Sequence, residues 1–558
     1  MRRSLDIDSQ LAGLLVQRGI DTFDKARQFF RPSLNDLHDP YLMQDMDKAI
    51  SRLERAMQAG ENILIYGDYD VDGTTAVALV YSYLKTKYEN LATYIPDRYT
   101  EGYGISYQGI DFAHDNEVSL IIALDCGIKA VDKVAYASAK GIDFIICDHH
   151  RPGEELPAAS AVLDPKREDC SYPYKELCGC GIGFKLVQAL AMQQGDDLSH
   201  LQSYLDLVAT AIAADIVPIT GENRILAHFG LQVINSHPRP GIRAMTQQLQ
   251  KSSMNITDVV FILAPRINAA GRMEHGQAAV NLLTETSLSR ALAAAQAIER
   301  FNTERKELDK AITEEALQQI KDNREAGHFT SVVYKEDWHK GVIGIVASRL
   351  IETHYRPTLV FTKSGEKLAA SARSVKGFDI YEALERCSEW IEQFGGHKYA
   401  AGLTLIPENY EGFKAAFEEV VKNSLTEEML SPQLQIDSLL ELSDISPKFF
   451  RILQQFGPFG PGNMKPVFVA TGLRDNGFGK RLGGNGEHLK LQLLSGSDRQ
   501  TWNAIGFGLG DRIELIRHGD PFQAAFTLEE NHWNGITSLQ LNLKDLKEED
   551  SPLSTGDV

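Results

Sequence analysis

Three aspartates alternate with apolar or aromatic residues in GDYDVDGTTA: Asp68, Asp70 and Asp72, followed by Gly73, Thr74 and Thr75. If the string continues an extended strand, alternate residues share a face and all three carboxylates enter one crevice. Carboxylates gathered so closely repel one another unless a cation sits among them. A turn capping a helix that begins at Thr74 is the alternative, but a cap needs only one of the three. The spacing is also that of the start of a calcium loop. No Glu stands where such a loop closes, however, and a strand precedes the string.

Three further motifs end apolar runs on groups that bind divalent cations. LIIALDCGI ends on Asp125, FIICDHHRPG on Asp148, His149 and His150, and LVATAIAADIVP on Asp215. Paired histidines beside an aspartate suit Mn²⁺ or Zn²⁺ better than Ca²⁺, because imidazole favours transition metals. A carboxylate closing an apolar helix or strand is expensive to bury without a partner, and a cation is one. The chemistry predicted is metal-assisted hydrolysis, in which one or two ions acidify water and clamp a phosphate.

Composition narrows the context. With 558 residues, the chain is too long for one core and predicts several domains. Its 43% hydrophobic and 24% charged fractions are those of a globular protein, and no apolar run is long enough to cross a bilayer. No signal or transit segment opens it, so a cytoplasmic location is expected. Six cysteines do not make a disulfide scaffold; Cys170, Cys178 and Cys180 lack a second pair at finger-like spacing and read as buried or loop thiols more readily than as zinc ligands. The net charge of -19 argues against nonspecific wrapping of nucleic acid, but a cleft of carboxylates becomes locally positive once loaded with cations.

The elements that must position these groups follow from periodicity. ENILIYGD, LATYIPD, SLIIALD, DFIICD and AVLD are short apolar strands separated by helical stretches such as TTAVALVYSYLKTKY. That alternation predicts an α/β domain with a doubly wound, mostly parallel sheet, whose ligands collect at the carboxyl ends of the strands. A first helical segment is expected over 1–45, the sheet domain over 46–230, and a helical region ending in a long connecting helix over 231–325. A second α/β domain follows over 326–428, with helices at GVIGIVASRLIETHY and YEALERCSEWIEQFG. A strand-rich, Gly-punctuated OB-like β-barrel spans 429–546, and a disordered tail 547–558. In the barrel, Phe468, Phe478, Trp502, Phe507 and Trp533 lie among Arg474, Lys480, Arg481, Lys490 and Arg499. Such aromatics stack on single-stranded bases or fill a core.

Taken in order and spacing, the four acidic motifs resemble those of the DHH phosphoesterase superfamily. RINAAGRM (266–273), SARS (371–374) and FGGHKYAAGLTL (394–405) resemble its associated DHHA1 domain, and FGPFGPGNMKPVF (456–468) resembles the RecJ branch, the single-stranded-DNA-specific exonucleases. The resemblance covers nearly the whole chain. It implies 5′-to-3′ hydrolysis of single-stranded DNA to mononucleotides, in DNA repair and recombination, with one or two Mn²⁺ or Mg²⁺ ions. Asp70, Asp72, Asp125, His149 and Asp215 would be ligands, with Asp68 a further one and Asp125 bridging, while His150 would act near the scissile phosphate. Tyr66 stands where some relatives carry a ligating His. Arg98, Asn268, Arg272, Ser371, Arg373 and His397 would bind substrate, some of them at a 5′ phosphate; for GGH and AAG a tightly packed start of a helix is the structural alternative. A monomer is expected, with a single-strand-binding protein and a helicase as sensible suppliers of substrate. A hydrolase of dinucleotides or short oligonucleotides and a non-catalytic replication scaffold are the alternatives.

Overall fold

The computed structural model describes residues 5–249, 251, 253–495, 500–517, 519–533 and 535–550. The tail from 551, Arg499 and the side chain of Trp533 lie outside the described residues. Five apolar runs form β1 (Asn62–Gly67), β2 (Leu91–Tyr94), β3 (Val118–Leu124), β4 (Asp143–Cys147) and β5 (Ala161–Leu163). All neighbours pair in parallel, in the order β2-β1-β3-β4-β5. Alternation sends Ile63, Ile65, Ile122 and Ile145 into one core, and Leu64, Tyr66, Ile121 and Phe144 into another on the opposite face. Helices therefore cover both faces, and this order opens a crevice where the chain reverses between β1 and β3. Tyr66 belongs to the second core, where its hydroxyl donates to the Gly104 carbonyl at 2.9 Å.

The helices between Pro240 and Ile298 share the first core through Ile242, Ile267, Val280 and Ala291. The connecting helix runs from Leu288 to Asp322, 35 residues, and carries the chain to a second sheet. There β6 (Ser331–Tyr334), β7 (Thr358–Ser364), β8 (Lys367–Arg373), β9 (Gln393–His397) and β10 (Ala400–Leu405) lie in the order β6-β7-β8-β10-β9. The GGH and AAG strings thus form a hairpin and not a helix start. A Cβ on Gly396 would meet the Ala400 carbonyl oxygen at 2.4 Å, so glycine is what lets β9 and β10 close. The helix expected over YEALERCSEWIEQFG stops early, at Ile380–Glu385, and the end of that segment, from Gln393, pairs with β10 as a strand.

In the last block, pairing of Phe468–Asp475 with both Phe522–Trp533 and His488–Ser495 closes a five-stranded ring with Ile536–Glu548 and Trp502–Gly506. This is the OB-like barrel the Gly-rich turns predict. Its last strand runs on to Glu548, into the tail expected from 547, because pairing with Phe522 and Gln523 continues to that point. Leu11, Leu14, Leu15 and Ala26 from the first two helices complete its core beside Phe449 and Phe456, so the two ends of the chain fold together. No helix among the described residues is long and apolar enough to cross a membrane.

Candidate active site

Asp68, Asp125 and Asp148 each follow directly on a strand: β1, β3 and β4. The helix after β1 begins at Val71, not Thr74, so DYDVD is a turn into a helix and not an extended edge. Asp70 is the N-cap, accepting from Gly73 N at 3.0 Å, and Asp72 is the second residue of the first turn. The tightness of that turn explains Gly73, where a Cβ would come within 2.5 Å of the Asp68 carbonyl oxygen.

Asp72 accepts hydrogen bonds from Gly179 N at 2.6 Å and Cys180 N at 2.7 Å, at the N-terminus of the helix Gly179–Gln193. Those amides hold the carboxylate in place. The cysteines of this segment are free, buried thiols and form no metal group among the described residues. Gly179 itself is required, because a Cβ there would meet Asp125 Cβ at 2.6 Å and Oδ1 at 2.7 Å. Gly179→Ala is expected to lower stability by about 1–3 kcal/mol through overpacking and to weaken Mn²⁺ binding, both read by thermal melts with and without Mn²⁺.

Asp125 takes a left-handed φ of 60°, unusual for a non-glycine residue and a form of strain that collects at functional sites. His149 Nε2 faces it, 3.2 Å from Asp125 Oδ1, 3.6 Å from Asp215 Oδ2 and 3.8 Å from Asp72 Oδ2. Asp215 caps the C-terminus of the helix Leu205–Ala214. Asp72, His149 and Asp215 offer ligand atoms within 4.8 Å of one another, as do Asp125, His149 and His150; Asp68 and Asp70 stand outside both groups.

The electrostatics fit a divalent cation. Asp68 Oδ2, Asp125 Oδ1 and His149 Nε2 are buried without any hydrogen-bond partner. Burial, then the charge of Asp70, pushes the Asp72 carboxyl up to about 7; burial, then Asp72, pushes Asp215 up to about 8. Burial, then the charge of His150, brings His149 down to about 3, so its imidazole is neutral and able to ligate.

His150 behaves in the opposite way. Burial pulls its pKa down, but Asp148 Oδ1 lies 2.7 Å from its Nδ1 and raises it to about 9. Asp148 in turn accepts from the backbone amides of Ile128, His149 and His150; although burial opposes ionisation, these bonds and His150 hold it at about 2. The Tyr103 hydroxyl meets His150 Nε2 at 3.2 Å. The sequence marks Asp148 as part of a cation-binding motif and not as the partner of His150, and for Tyr103 it offers only the loop RYTEGYG.

A basic cleft faces this centre. Arg98 stacks on Tyr69 with 4.8 Å between guanidinium and ring centre. Asn268 and Arg272 lie one helical turn apart, on the same face, and Arg272 Nη1 donates to the Gly341 carbonyl of the second domain at 2.9 Å. Burial, then the charges of Arg98, Arg373 and Arg305, brings Arg272 down to about 9. Arg373 Nη1 donates to Ser371 Oγ at 3.1 Å, and both side chains crowd Gly344 in the first turn of the helix Ile343–Thr353. His397 is exposed on the edge strand β9, in register with Ala400, which pairs with Arg373. Residues in register share a sheet face, so His397 is on the Arg373 side, two strands or about 10 Å away. In the barrel, Phe468 and Trp502 are core, whereas Phe478 and Phe507 are exposed, the first beneath Lys480 and the second against His488.

A doubly wound sheet with an Asp-rich turn and an Asp-His-His strand end defines a DHH-type phosphoesterase. The DHH family N-terminal domain matches residues 62–212, the DHHA1 domain 327–423 and the RecJ OB domain 436–545. The single-stranded-DNA-specific exonuclease RecJ of Bacillus subtilis is 36% identical over 550 residues, 98% of this chain and 69% of that protein. RecJ of Escherichia coli is 31% identical over 560 residues, 96% of each. The crystal structure of Thermus thermophilus RecJ in complex with Mn²⁺ matches with a TM-score of 0.83 at 27% identity, over 99% of this chain and 77% of that one. The chain belongs to the RecJ family of single-stranded-DNA-specific exonucleases.

Proposed function

We propose that this protein degrades single-stranded DNA from the 5′ end to mononucleotides, using Mn²⁺ or Mg²⁺, in DNA repair and recombination. The observation that carries the reading is the convergence of Asp72, Asp125, Asp215 and His149 on one buried point, opposite Arg98, Arg272 and Arg373. Asp72, Asp125, His149 and Asp215 would hold the cation, with Asp125 shared where a second ion binds, and Asp68 and Asp70 adding charge around them. When bound, the ion supplies the positive charge that acidifies water and neutralises phosphoryl oxygens.

The chain's own groups do the rest. His149 offers a neutral ring. His150, held as an imidazolium by Asp148, presents a proton at Nε2 to the scissile phosphate or its leaving oxygen. Arg98, Asn268, Arg272, Ser371 and Arg373 hold a 5′-terminal phosphate, helped by the amides that begin the helix Ile343–Thr353. His397 contacts the strand further along. Division of labour follows the expected domains: chemistry over 46–230, end recognition where Arg98 and the helical region 231–325 meet 326–428, and strand tracking over 429–546, in a cytoplasmic monomer fed by a helicase or a single-strand-binding protein.

Tracking is testable separately. Phe507→Ala should weaken binding of long single strands by about 1–3 kcal/mol and leave a trinucleotide unaffected, as read by fluorescence anisotropy. The deciding experiment for the whole reading is digestion of one long oligonucleotide labelled at either end, with and without a 5′ phosphate, beside a dinucleotide. Mononucleotide release from the 5′ end is expected. Preference for the dinucleotide would assign a small-substrate hydrolase, and absence of cation binding a scaffold.

A further inference from the structure

The string FGPFGPGN (456–463) joins the helix Pro447–Gln454 to the barrel strand Phe468–Asp475. It forms a closed turn. Gly460 and Asn463 exchange backbone hydrogen bonds at 3.0 and 2.8 Å. The Asn463 side chain, only 2% exposed, donates to the carbonyls of Phe456 at 2.8 Å and Pro458 at 2.9 Å, and its oxygen accepts from Arg18 Nε at 2.9 Å. With both ends of its amide engaged, this one buried residue fixes the shape of the turn.

The turn is seated on residues 216–220 of the first domain, the segment that directly follows Asp215. Ile219 N donates to the Pro461 carbonyl at 2.7 Å. The approach is close: a Cβ on Gly460 would come within 2.5 Å of Ile219 Cδ1, and one on Gly462, at a φ of 72°, within 3.0 Å of Thr220 Cγ2. Arg224, in the first turn of the helix Gly221–Ser236, donates from Nη2 to the Gly457 carbonyl at 2.7 Å. From within its own domain the segment is held by Tyr174 and Asn223, whose side chains donate to the Pro218 carbonyl at 3.2 and 3.0 Å.

These contacts bear on where the Asp215 carboxylate stands. Asp215 caps the helix Leu205–Ala214, which holds its backbone from one side only, by the bond from its N–H to the Ala211 carbonyl at 2.9 Å. On the other side Ile216 takes a left-handed φ of 60°, a conformation that a β-branched residue disfavours. Its side chain is 68% exposed, so its own packing does not offset the strain. A strained residue persists only where its surroundings over-determine it. Here those surroundings are the contacts made by residues 218–220.

We propose that the FGPFGPGN turn is a positioning element of the metal centre: through residues 216–220 it holds the Asp215 carboxylate at the point on which Asp72, Asp125 and His149 converge. The inference rests on the reading of Asp215 as a cation ligand. It gives the root of the barrel a second task beside that of holding the strand. Asn463 touches neither cation nor DNA and acts through the turn alone.

The test uses the full-length protein and reads Mn²⁺ binding by calorimetry without DNA, together with Tm. Asn463→Ala removes the bonds that shape the turn. Kd for Mn²⁺ is expected to rise about two- to tenfold, the size of effect of one lost hydrogen bond. At saturating Mn²⁺ kcat should return to near the wild-type value, and metal-free affinity for a long single strand should hold. Leu14→Ala, in the barrel core, lowers Tm as well but should leave Kd for Mn²⁺ as it is, which separates positioning from general loosening. Wild-type Mn²⁺ affinity in Asn463→Ala, or an equal loss in Leu14→Ala, overturns the inference. Should Asn463→Ala fail to fold, Arg224→Lys, which lacks the planar fork that reaches the Gly457 carbonyl, replaces it with the same two outcomes. Asp215→Asn is the reference: if it binds Mn²⁺ as tightly as wild type, Asp215 is no ligand, and that reading falls together with this inference.

Discussion

Asp125→Asn and His149→Ala are each expected to reduce Mn²⁺-dependent mononucleotide release by at least about 10³-fold, because each removes a group proposed to hold the cation, whose charge stabilisation is worth several kcal/mol. The two differ in what they do to the metal-free fold. Burial first, then the charges of Asp72, Asp70 and Asp215, raises the Asp125 carboxyl well above the usual range, so the native state tolerates its charge poorly. Asparagine is neutral, nearly isosteric and at ease at a left-handed φ. Asp125→Asn should therefore leave the metal-free Tm unchanged or raise it, while abolishing the extra stabilisation that Mn²⁺ gives the wild type. His149→Ala opens a void beside the carboxylates and lowers the metal-free Tm modestly. Calorimetric titration with Mn²⁺, paired with melts of both forms, checks the two together. Turnover retained by either variant would remove that residue from the centre.

How far such a site can be read in sequence depends on how local its causes are. The strands of the first sheet were legible because most are short apolar runs, and Asp68, Asp125 and Asp148 because they end those runs on the same side. Whether DYDVD was strand or helix turn was not legible, since the deciding contact is the docking of Asp72 onto Gly179 and Cys180, more than a hundred residues away. The GGH hairpin was ambiguous for another reason: glycines have no side chains from which to read periodicity, and only the register with β8 makes them a strand. Arg305, buried on the connecting helix, was not legible as a buried residue within a segment rich in Glu, Lys and Arg. Its burial follows from two domains closing on it, which the helix's own sequence does not encode. The same holds for Leu11, Leu14 and Leu15, which find their core in a barrel more than four hundred residues on.

Asp148→Asn tests the other half of the chemistry, and its effect is expected to be nearly as large. The Asp148 carboxylate, held at about 2, and the His150 imidazolium, held up to about 9, form an ion pair that persists across the whole pH range between those values. The signs follow from the two shifts. The depressed Asp148 pKa contributes stability present above the ordinary Asp value and lost as pH falls through about 2. The raised His150 pKa contributes stability fully present below the ordinary His value and lost as pH rises through about 9. In wild type the proton at His150 Nε2 is thus available throughout the neutral range, and activity should fall on an alkaline limb near pH 9. Asparagine cannot supply the charge. The limb should move down to or below the ordinary His value of about 6.5, and kcat at neutral pH should fall by about 10²–10⁴-fold, the range of lost general acid catalysis. Because the Asp148 side chain is not among the four groups proposed to hold the cation, Mn²⁺ affinity should change little. That separation distinguishes a positioning residue from a ligand: a pH profile that shifts while metal binding stays constant supports the first, and a profile unmoved by the substitution would mean that His150 does not donate the proton.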